Sequence, residues 1–271
     1  MENFRGRVAV VKGAASGIGL ALAERFAAEG MNVVMADIEA GALATASERL
    51  RRQGAAVLPI RVDVSQPADV ERLAEETYAA FDAAHVVCNN AGVAVIGAIH
   101  EHTLADWQWV INVNLWGVIH GVRVFLPRML AGGDEGHVVN TASMAGLVGM
   151  RWLGIYSASK FAVVGLTEAL HRELGDHGIG VSVLCPMIVQ TNINQNSIRN
   201  RPAPLRNPGE EPLVPDAAAM AGSVIAPEEV ARRVVRGIDR NDLYIFTHPE
   251  QREYLKRRWT RQDRMFEPEV W

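Results

Sequence analysis

The chain has 271 residues, 27 of them basic and 31 acidic, so its formal net charge is −4 with neutral histidines. Apolar residues make up 49% and charged residues 21%, which is ordinary for a globular protein and excludes a collagen, a disordered tail and a coiled coil. The mildly acidic balance offers no basic surface for the phosphates of nucleic acid. We therefore expect a globular protein with no nucleic-acid partner.

The cysteines and apolar runs bear on the compartment. Cys88 and Cys185 are too few for a disulfide framework or a cysteine zinc site, and both lie in apolar strand-like runs. We expect them to be small buried side chains in a reducing compartment. The N-terminus has no apolar stretch of signal-peptide type, and the longest run without Asp, Glu, Lys or Arg, residues 177–198, is broken by Pro186. A cytoplasmic protein without a membrane partner is predicted.

Short β-branched runs alternate with segments of helical periodicity along the whole chain. Strands are predicted over residues 7–12, 32–37, 56–62, 85–89, 136–141, 180–184 and 243–247. Helices are predicted over residues 17–29, 39–53, 67–81, 104–130, 156–175 and 227–239. Apolar strands between amphipathic helices indicate a parallel sheet covered on both faces. The sequence thus predicts a single α/β domain over residues 1–271, a doubly wound seven-stranded Rossmann fold.

Two segments depart from this alternation. Five prolines fall between Asn200 and Pro215, a density that no regular element tolerates. Such a segment is either a disordered linker or a loop over a binding site. Because it follows a strand end, where open α/β sheets bind ligands, we predict a substrate-binding lid over residues 187–226. The C-terminal tail, residues 249–271, is rich in Arg and is predicted to be a solvated amphipathic helix that covers a site or a neighbouring subunit.

A glycine-rich turn joins the first predicted strand to the first predicted helix, in the sequence Lys12-Gly13-Ala14-Ala15-Ser16-Gly17-Ile18-Gly19. Glycines allow a tight turn and a close approach to a pyrophosphate, and the helix N-terminus supplies N–H donors and a partial positive charge. Glycine also marks plain turns, so the strand–turn–helix context carries the prediction. The predicted dinucleotide contacts at this turn are Gly13, Ser16, Gly17, Ile18 and Gly19.

Asp37 ends the second predicted strand, 18 residues after Gly19. A carboxylate there accepts hydrogen bonds from an adenosine ribose and repels a 2′-phosphate. It also fits the cap of the helix that follows. Neither Ser16 nor Ile38, the next predicted cofactor contact, offers a cation for a 2′-phosphate, so NAD is preferred over NADP. Lys12 is either a nearby cation that softens this preference or a solvated charge at the strand end.

Tyr156 and Lys160 are four residues apart on a predicted helix and share one face. A neighbouring ammonium stabilises a phenolate and brings the tyrosine pKa from about 10 toward neutrality. Such a tyrosine exchanges a proton with a substrate alcohol or carbonyl. Taken alone, the pair is more often an ordinary pair on a helix surface.

Three other polar motifs accompany this pair. Ser143 follows a strand end 13 residues before Tyr156, and without the tyrosine it fits a turn or cap serine. Asn114 lies inside a predicted helix, where asparagine is locally unfavourable. Residues 89–92, Asn-Asn-Ala-Gly, follow the fourth strand and either form a plain turn or face the expected nucleotide crevice.

Together these motifs resemble the short-chain dehydrogenase/reductase family in its single-domain form. The resemblance runs from Gly13 through the last strand and includes the glycine turn, Asp63-Val64, Asn89–Gly92, Asn114, Ser143, Tyr156, Lys160 and Pro186–Thr191. Two positions depart from the family pattern. Lys12 stands where the family usually has Thr, and Met187 stands where it usually has Gly and brings a large side chain near the nicotinamide and the substrate.

The resemblance implies catalytic roles. Tyr156 would be the general acid/base, Lys160 would lower its pKa and hold the nicotinamide ribose, and Ser143 would bind the substrate oxygen. Asn114 would anchor a water that relays protons to Lys160. Further cofactor contacts would come from Asp63, Val64, Asn90, Ala91, Gly92, Pro186, Val189 and Thr191, with Asp63 at the adenine and the last two at the nicotinamide carboxamide. It also implies a homotetramer or homodimer built from the helices around Asn114 and Tyr156.

Large apolar residues on loops after strand ends suggest a hydrophobic or aromatic secondary alcohol or ketone as substrate. They are Val95, Met150, Trp152, Leu153, Met187 and Ile193, with Ser143 as the polar member. Individually, such residues are more often part of a core. The ending around Tyr244–Glu250 looks like a branch that includes dehydrogenases of aromatic secondary alcohols, such as lignin-derived aryl ethers.

Alternatives to this interpretation remain. His100-Glu101-His102 lacks a third convergent ligand, so a solvated loop and no metal site are expected. The leading hypothesis is an NAD-dependent alcohol dehydrogenase or ketone reductase. One rival is a lyase or dehalogenase that uses the fold without a nucleotide. Another is a noncatalytic dinucleotide-binding or scaffold protein.

Overall fold

The computed structural model describes residues 1, 3–207 and 223–266. Its described strands form one seven-stranded sheet in the order β3-β2-β1-β4-β5-β6-β7, and every neighbouring pair is parallel. The strands are β1 (Val8–Lys12), β2 (Asn32–Asp37), β3 (Val57–Arg61), β4 (Val86–Asn89), β5 (Gly136–Thr141), β6 (Ile179–Cys185) and β7 (Tyr244–Phe246). The predicted Rossmann-like sheet is confirmed.

Helices connect successive strands. Those in the described part of the chain are α1 (Gly17–Ala28), α2 (Ala40–Arg52), α3 (Pro67–Phe81), α4 (Leu104–Ile111), α5 (Gly117–Gly132), α6 (Gly154–Glu173), α7 (Ile193–Arg199), α8 (Pro227–Arg240) and α9 (Gln251–Asp263). The strand order reverses between β1 and β4, and an open parallel sheet has its ligand crevice beyond the carboxyl ends of the strands at that point. The candidate site is therefore expected above Lys12 and Asn89.

Side chains of alternate residues along each strand pack against opposite helix layers. On one face Ala9 and Val11 of β1 join an apolar cluster that includes residues of α1, α2 and α8. On the other face Val8 and Val10 join a cluster that includes residues of α3, α4, α5 and α6. Both predicted buried cysteines are buried, and burial raises the pKa of each thiol.

The predicted continuous helix over residues 104–130 is wrong in one respect. A five-residue π-helical turn, Asn112–Trp116, lies between α4 and α5, and the Gly117 N–H closes it by donating to the Asn112 carbonyl. A π turn inserts one extra residue into the helical ladder, which hydrophobic periodicity over a short window does not reveal. By length and composition the run Leu104–Gly132 is able to cross a membrane, but half of its most apolar window is buried inside the protein, as in a core helix.

The proline-rich segment is more regular than predicted at its start. Helix α7 precedes it, and a 3₁₀ turn, Ala203–Leu205, forms in its described part. The rest of the predicted lid, residues 208–222, lies outside the described residues, as do residues 267–271 of the predicted tail. The lid segment below means residues 187–207.

Candidate active site

The glycine turn after β1 depends on close backbone contacts. Gly13 has a φ of +76°, and a Cβ there would lie 2.9 Å from the Cα of Ala91. A Cβ on Gly19 would lie 1.9 Å from the Gly13 carbonyl oxygen. The N-cap of α1 is Ser16, whose side chain makes no capping hydrogen bond. The first N–H groups of α1, from Gly17 onward, are therefore available to an anion.

Asp37 supports this turn from the end of β2. Its Oδ2 accepts a hydrogen bond from the Ala15 N–H at 2.9 Å, and its Oδ1 accepts one from the Glu39 N–H at 3.0 Å. Burial raises the pKa of the carboxyl, while the hydrogen bonds from these backbone N–H groups oppose that rise. The alternative that Asp37 is the helix cap is wrong, because Glu39 is the N-cap residue of α2 and Ile38 separates the two.

The structure contradicts both interpretations of Lys12, as a cation displayed at the glycine turn and as a solvated charge at the strand end. Its side chain is buried, and its Nζ donates a hydrogen bond to the Gly117 carbonyl oxygen at 2.6 Å on the α5 side of the sheet. It is therefore not a solvated charge at the strand end. Its amine is also not displayed at the glycine turn, because it is enclosed between the sheet and the start of α5.

The Asp63-Val64 pair forms a turn after β3. The Asp63 carboxylate accepts hydrogen bonds from the Ser65 N–H at 3.0 Å and from the Ser65 hydroxyl at 2.7 Å. Val64 is buried, and its Cγ2 lies 2.9 Å from the position that a Cβ on Gly117 would occupy. The Val64 side chain is thus core, so a cofactor contact there would fall to its backbone.

The Asn-Asn-Ala-Gly segment connects the glycine turn to the strand beside it. The Asn90 Nδ2 donates to the Lys12 carbonyl, and the Asn90 Oδ1 accepts from the Thr141 hydroxyl, both at 3.3 Å. A Cβ on Gly92 would lie 3.4 Å from the Asn114 Oδ1 and 3.5 Å from the Lys160 Nζ. This segment therefore joins the predicted cofactor residues to the predicted catalytic ones.

Asn114 lies in the π turn and is fully buried. Its Oδ1 accepts the Val93 N–H at 2.8 Å, while its Nδ2 donates to the Val93 carbonyl at 2.9 Å and to the Ser159 hydroxyl at 3.1 Å. The Lys160 Nζ donates to the Thr141 carbonyl at 2.8 Å. The mid-helix asparagine that is unfavourable by propensity is thus held by three hydrogen bonds beside Lys160.

Ser143 and Tyr156 meet beyond the end of β5. The Ser143 Oγ accepts the Ala145 N–H at 3.1 Å and faces the Pro186 carbonyl oxygen at 3.4 Å. The Ser143 side chain also lies close enough to the Tyr156 hydroxyl to lower its pKa. The Lys160 Nζ lies 5.6 Å from the centre of the Tyr156 ring. All four predicted catalytic side chains therefore gather at the carboxyl ends of β4 and β5.

The expectation that Lys160 brings Tyr156 toward neutrality is not met in this arrangement. Burial raises the pKa of Tyr156 and outweighs the lowering effect of Ser143. Burial also lowers the pKa of Lys160 to about 8. Both shifts have one cause, since a site removed from water favours the neutral form of each group.

The lid segment reaches the glycine turn through contacts that the sequence did not reveal. The Asn196 Nδ2 donates to the Ser16 hydroxyl at 3.2 Å, and the Ser197 hydroxyl accepts the Ala94 N–H at 2.9 Å. Thr191 lies beside Gly17, with its Cγ2 3.0 Å from the position of a Cβ on that glycine. Pro186 directly follows β6, and Val189 forms an isolated bridge with Ile225. The polar side chains of α7 gave no distinguishing sequence signal, because their partners are remote in the chain.

A buried ion pair also fastens the lid segment to α4. The Arg201 guanidinium lies 2.7 Å from the Asp106 carboxylate, and the Nδ1 of His102 lies 3.7 Å from that same carboxylate. Only 5% of the His102 side chain is exposed, so the expected solvated loop is wrong for this residue, although His100 is exposed. The described residues contain no cluster of three His, Cys, Asp or Glu side chains able to hold a metal ion.

The predicted substrate residues do not form a single group. Met150 and Met187 pack against one apolar cluster beyond β5 and β6, together with Tyr254 and Leu255 of α9. Val95 packs against a different cluster, the one that contains Val8 and Val10. Helix α9 confirms a helix in the predicted tail, and its Tyr254 and Leu255 pack against the same cluster as Met187.

The other three predicted substrate residues do not belong to these two clusters. Trp152 has a φ of +67° and is 49% exposed, with the Arg151 guanidinium 4.7 Å from the centre of its ring. Leu153 precedes α6 and forms an isolated bridge with Gly97. Ile193 is the first residue of α7. Trp152 therefore faces solvent rather than the cluster around Met187.

Comparisons with known proteins agree with this geometry. The C alpha-dehydrogenase of Sphingobium sp. strain SYK-6 is 36% identical over 261 residues, which cover 95% of this chain and 85% of that protein. The 1-deoxy-11-beta-hydroxypentalenate dehydrogenase of Streptomyces exfoliatus is 36% identical over 94% of this chain and 87% of that protein. A short-chain dehydrogenase/reductase from Burkholderia phymatum, solved in complex with NAD, superposes with a TM-score of 0.92 at 41% identity over 99% of this chain and 98% of that chain.

The family assignment follows from a match that spans most of the chain. A family model described as short chain dehydrogenase matches residues 7–202, from the first strand into the lid segment. The matched region contains the glycine turn, Asn114, Ser143, Tyr156 and Lys160 in one connected site. This chain belongs to the short-chain dehydrogenase family and is an oxidoreductase that acts on hydroxyl groups.

Proposed function

We propose that this protein is an NAD-dependent dehydrogenase that interconverts a secondary alcohol and a ketone. The observation that carries the proposal is the grouping of three side chains: Ser143 lies close enough to Tyr156 to lower its pKa, and the Lys160 amine lies 5.6 Å from the centre of the tyrosine ring. A hydroxyl pair of this kind holds a substrate oxygen from two sides. The rival without a nucleotide has no use for the glycine turn that adjoins this pair.

The residues around the turn fit a dinucleotide. The close approach of Gly13 to Ala91 and the exposed N–H groups of α1 form a cradle for a pyrophosphate. Asp37 would accept hydrogen bonds from the adenosine ribose, and its negative charge would disfavour the 2′-phosphate of NADP. The nicotinamide supplies the hydride acceptor or donor. The remaining contacts would come from Asp63, Val64, Asn90, Pro186, Val189 and Thr191.

The protein's own part in the reaction is to hold and move a proton. Ser143 orients the substrate oxygen, and Tyr156 exchanges a proton with it. Lys160, fixed through its hydrogen bond to the Thr141 carbonyl, lies where it stabilises the phenolate once Tyr156 gives up its proton. Asn114 holds the backbone of Val93 beside Lys160, so this side of the site keeps its shape during proton transfer.

The proposed substrate is hydrophobic or aromatic. Support comes from Met150 and Met187, whose cluster adjoins the end of β6 next to Ser143, and from Tyr254 and Leu255 on the same cluster. A pocket bounded by such side chains favours an apolar substituent on the carbinol carbon. We also propose a homo-oligomer through the helices around Asn114 and Tyr156. The 47% exposure of Trp116 on the π turn supports it.

Tyr156→Phe tests the reaction directly. We expect turnover of an aryl secondary alcohol with NAD to fall by about a thousandfold, since the general acid/base is removed. Fluorescence titration should show NADH affinity within about twofold of wild type, because the glycine turn is untouched. Tyr78→Phe, a distant and half-buried tyrosine, is the matched control and should leave turnover unchanged. Turnover of Tyr156→Phe equal to wild type would overturn the proposed role.

A further inference from the structure

Lys12 is a fully buried lysine in the layer beneath the site. It continues the set of β1 side chains, Val8 and Val10, that faces α3–α6. Only 1% of its surface is exposed. Burial lowers the pKa of its amine to about 7. Burying a lysine amine costs free energy, which the contacts of that amine must offset.

The Lys12 amine lies in a polar layer that crosses the sheet. Its Nζ and the Asn89 Oδ1 lie 2.3 Å and 2.1 Å from the position that a Cβ on Gly121 would occupy. The Asn89 Nδ2 donates to the Asn140 Oδ1 at 2.7 Å, and the Asn140 Nδ2 donates to the Thr167 hydroxyl at 3.1 Å. Side chains of β1, β4, β5 and α6 thus form one buried row with the amine at its end.

The direct acceptor of this amine is a structural boundary. Gly117 is the first residue of α5, and its N–H closes the π turn through the Asn112 carbonyl. Its own carbonyl accepts the hydrogen bond from Lys12 at 2.6 Å. Val64 packs against Gly117, with its Cγ2 2.9 Å from the position that a Cβ on this glycine would occupy. Lys12 therefore holds the C-terminal end of the π turn at Gly117, which lies three residues beyond Asn114.

We propose that Lys12 is a positioning residue, whose amine fixes the carbonyl of Gly117 and thereby the π turn that presents Asn114 to Val93 and Ser159. A threonine at this position has a much shorter side chain and would not reach Gly117. The effect on turnover rests on the proposed function. The effect on the contact between Asn114 and Val93 does not.

The test is hydrogen exchange at the Val93 amide, which Asn114 protects. In Lys12→Met, which keeps the apolar stem and removes the amine, exchange at Val93 should rise about tenfold. In Thr167→Val, which breaks the buried row at its far end, exchange at Val93 should stay near wild type. The control has a comparable loss of buried hydrogen bonding, so a general loss of stability would raise both. Equal protection of Val93 in wild type and Lys12→Met overturns the proposal.

A second variant covers the case in which Lys12→Met does not fold. Gly121→Ala places a Cβ against both the Asn89 Oδ1 and the flexible end of Lys12, and so displaces the amine without removing it. It should raise exchange at Val93 in the same direction, and an unchanged Val93 would again overturn the proposal. In Lys12→Met, kcat should fall about tenfold with NADH affinity nearly unchanged. If Tyr156→Phe retains turnover while Lys12→Met still frees Val93, the proposed function fails and the positioning role stands.

Discussion

The glycine turn and the lid segment border the same predicted crevice from opposite sides and hold their positions by different means. The turn is fixed by backbone packing, as in the contact of Gly13 with Ala91 and of Gly19 with the Gly13 carbonyl. The lid segment is fixed by polar side chains, such as Arg201 on Asp106 and Asn196 on Ser16. Backbone packing leaves no alternative arrangement, whereas side-chain contacts can be broken and remade. The proposed cofactor site thus lies on the region whose backbone packing leaves it less freedom.

Breaking the lid contact should have the largest effect on stability. In Asp106→Ala the buried Arg201 loses its counter-ion, and we expect a loss of about 3 kcal/mol in the free energy of unfolding. KM for the alcohol should rise more than Kd for NADH, because the lid segment is affected and the turn is not. Chemical denaturation and steady-state kinetics measure the two effects.

The control for this prediction is an exposed pair. Arg52→Ala removes the partner of Glu48, and its effect should stay below about 0.5 kcal/mol, since exposed ion pairs contribute little. If Asp106→Ala were as mild as Arg52→Ala, the ion pair would not hold the lid segment.

Breaking the turn should affect cofactor binding instead. In Gly19→Ala the new methyl group meets the Gly13 carbonyl, so the turn must deform and NADH affinity should fall about a hundredfold. The matched control is Gly41→Ala, because a Cβ at Gly41 meets no atom within 4 Å. Fluorescence titration of both variants with NADH measures this loss of affinity. An unimpaired Gly19→Ala would show that close packing at the turn is dispensable.

Lys12 is buried between the sheet and the start of α5 and gives a pH-dependent signature. Its pKa is about 7 in the folded chain and near the ordinary 10.5 in the unfolded chain, so the unfolded chain binds more protons between these values. Stability should therefore rise with pH over this window, by at most about 1.4 kcal/mol per pH unit from this group. Between pH 7 and 9, the unfolding free energy of wild type should therefore rise relative to that of Lys12→Met. Parallel curves would mean that the amine is not buried.

The smallest effect is expected at Trp152. This residue is half exposed beside Arg151, away from the cluster of Met150 and Met187. Trp152→Ala should change KM for an aryl alcohol less than about twofold, whereas Met187→Ala should change it several-fold, since only the latter opens the apolar cluster. A larger effect at Trp152 than at Met187 would reverse this assignment of the substrate side.

The contrast between the glycine turn and the lid segment also explains which features could be predicted from the sequence. The strands, the glycine turn and the gathering of Ser143 with Tyr156 were predicted, because each depends on local pattern or on position at a strand end. The burial of Lys12 was missed because strand alternation does not distinguish a covered end from an exposed one. The lid contact of Asn196 was missed because its partner Ser16 is remote in the chain. The π turn was missed because hydrophobic periodicity over a short window does not reveal one extra residue. The burial of His102 was missed although its partner Asp106 is only four residues away.

We propose that the glycine turn and Asp37 bind NAD in preference to NADP. Parallel titration of the protein and of Asp37→Asn with NADH and NADPH, followed by nicotinamide fluorescence, tests it most directly. We predict that wild type binds NADH at least about tenfold more tightly than NADPH, and that Asp37→Asn narrows the difference. If wild type bound both cofactors equally, Asp37 would not select NAD, and if it bound neither, the glycine turn would not be a dinucleotide site.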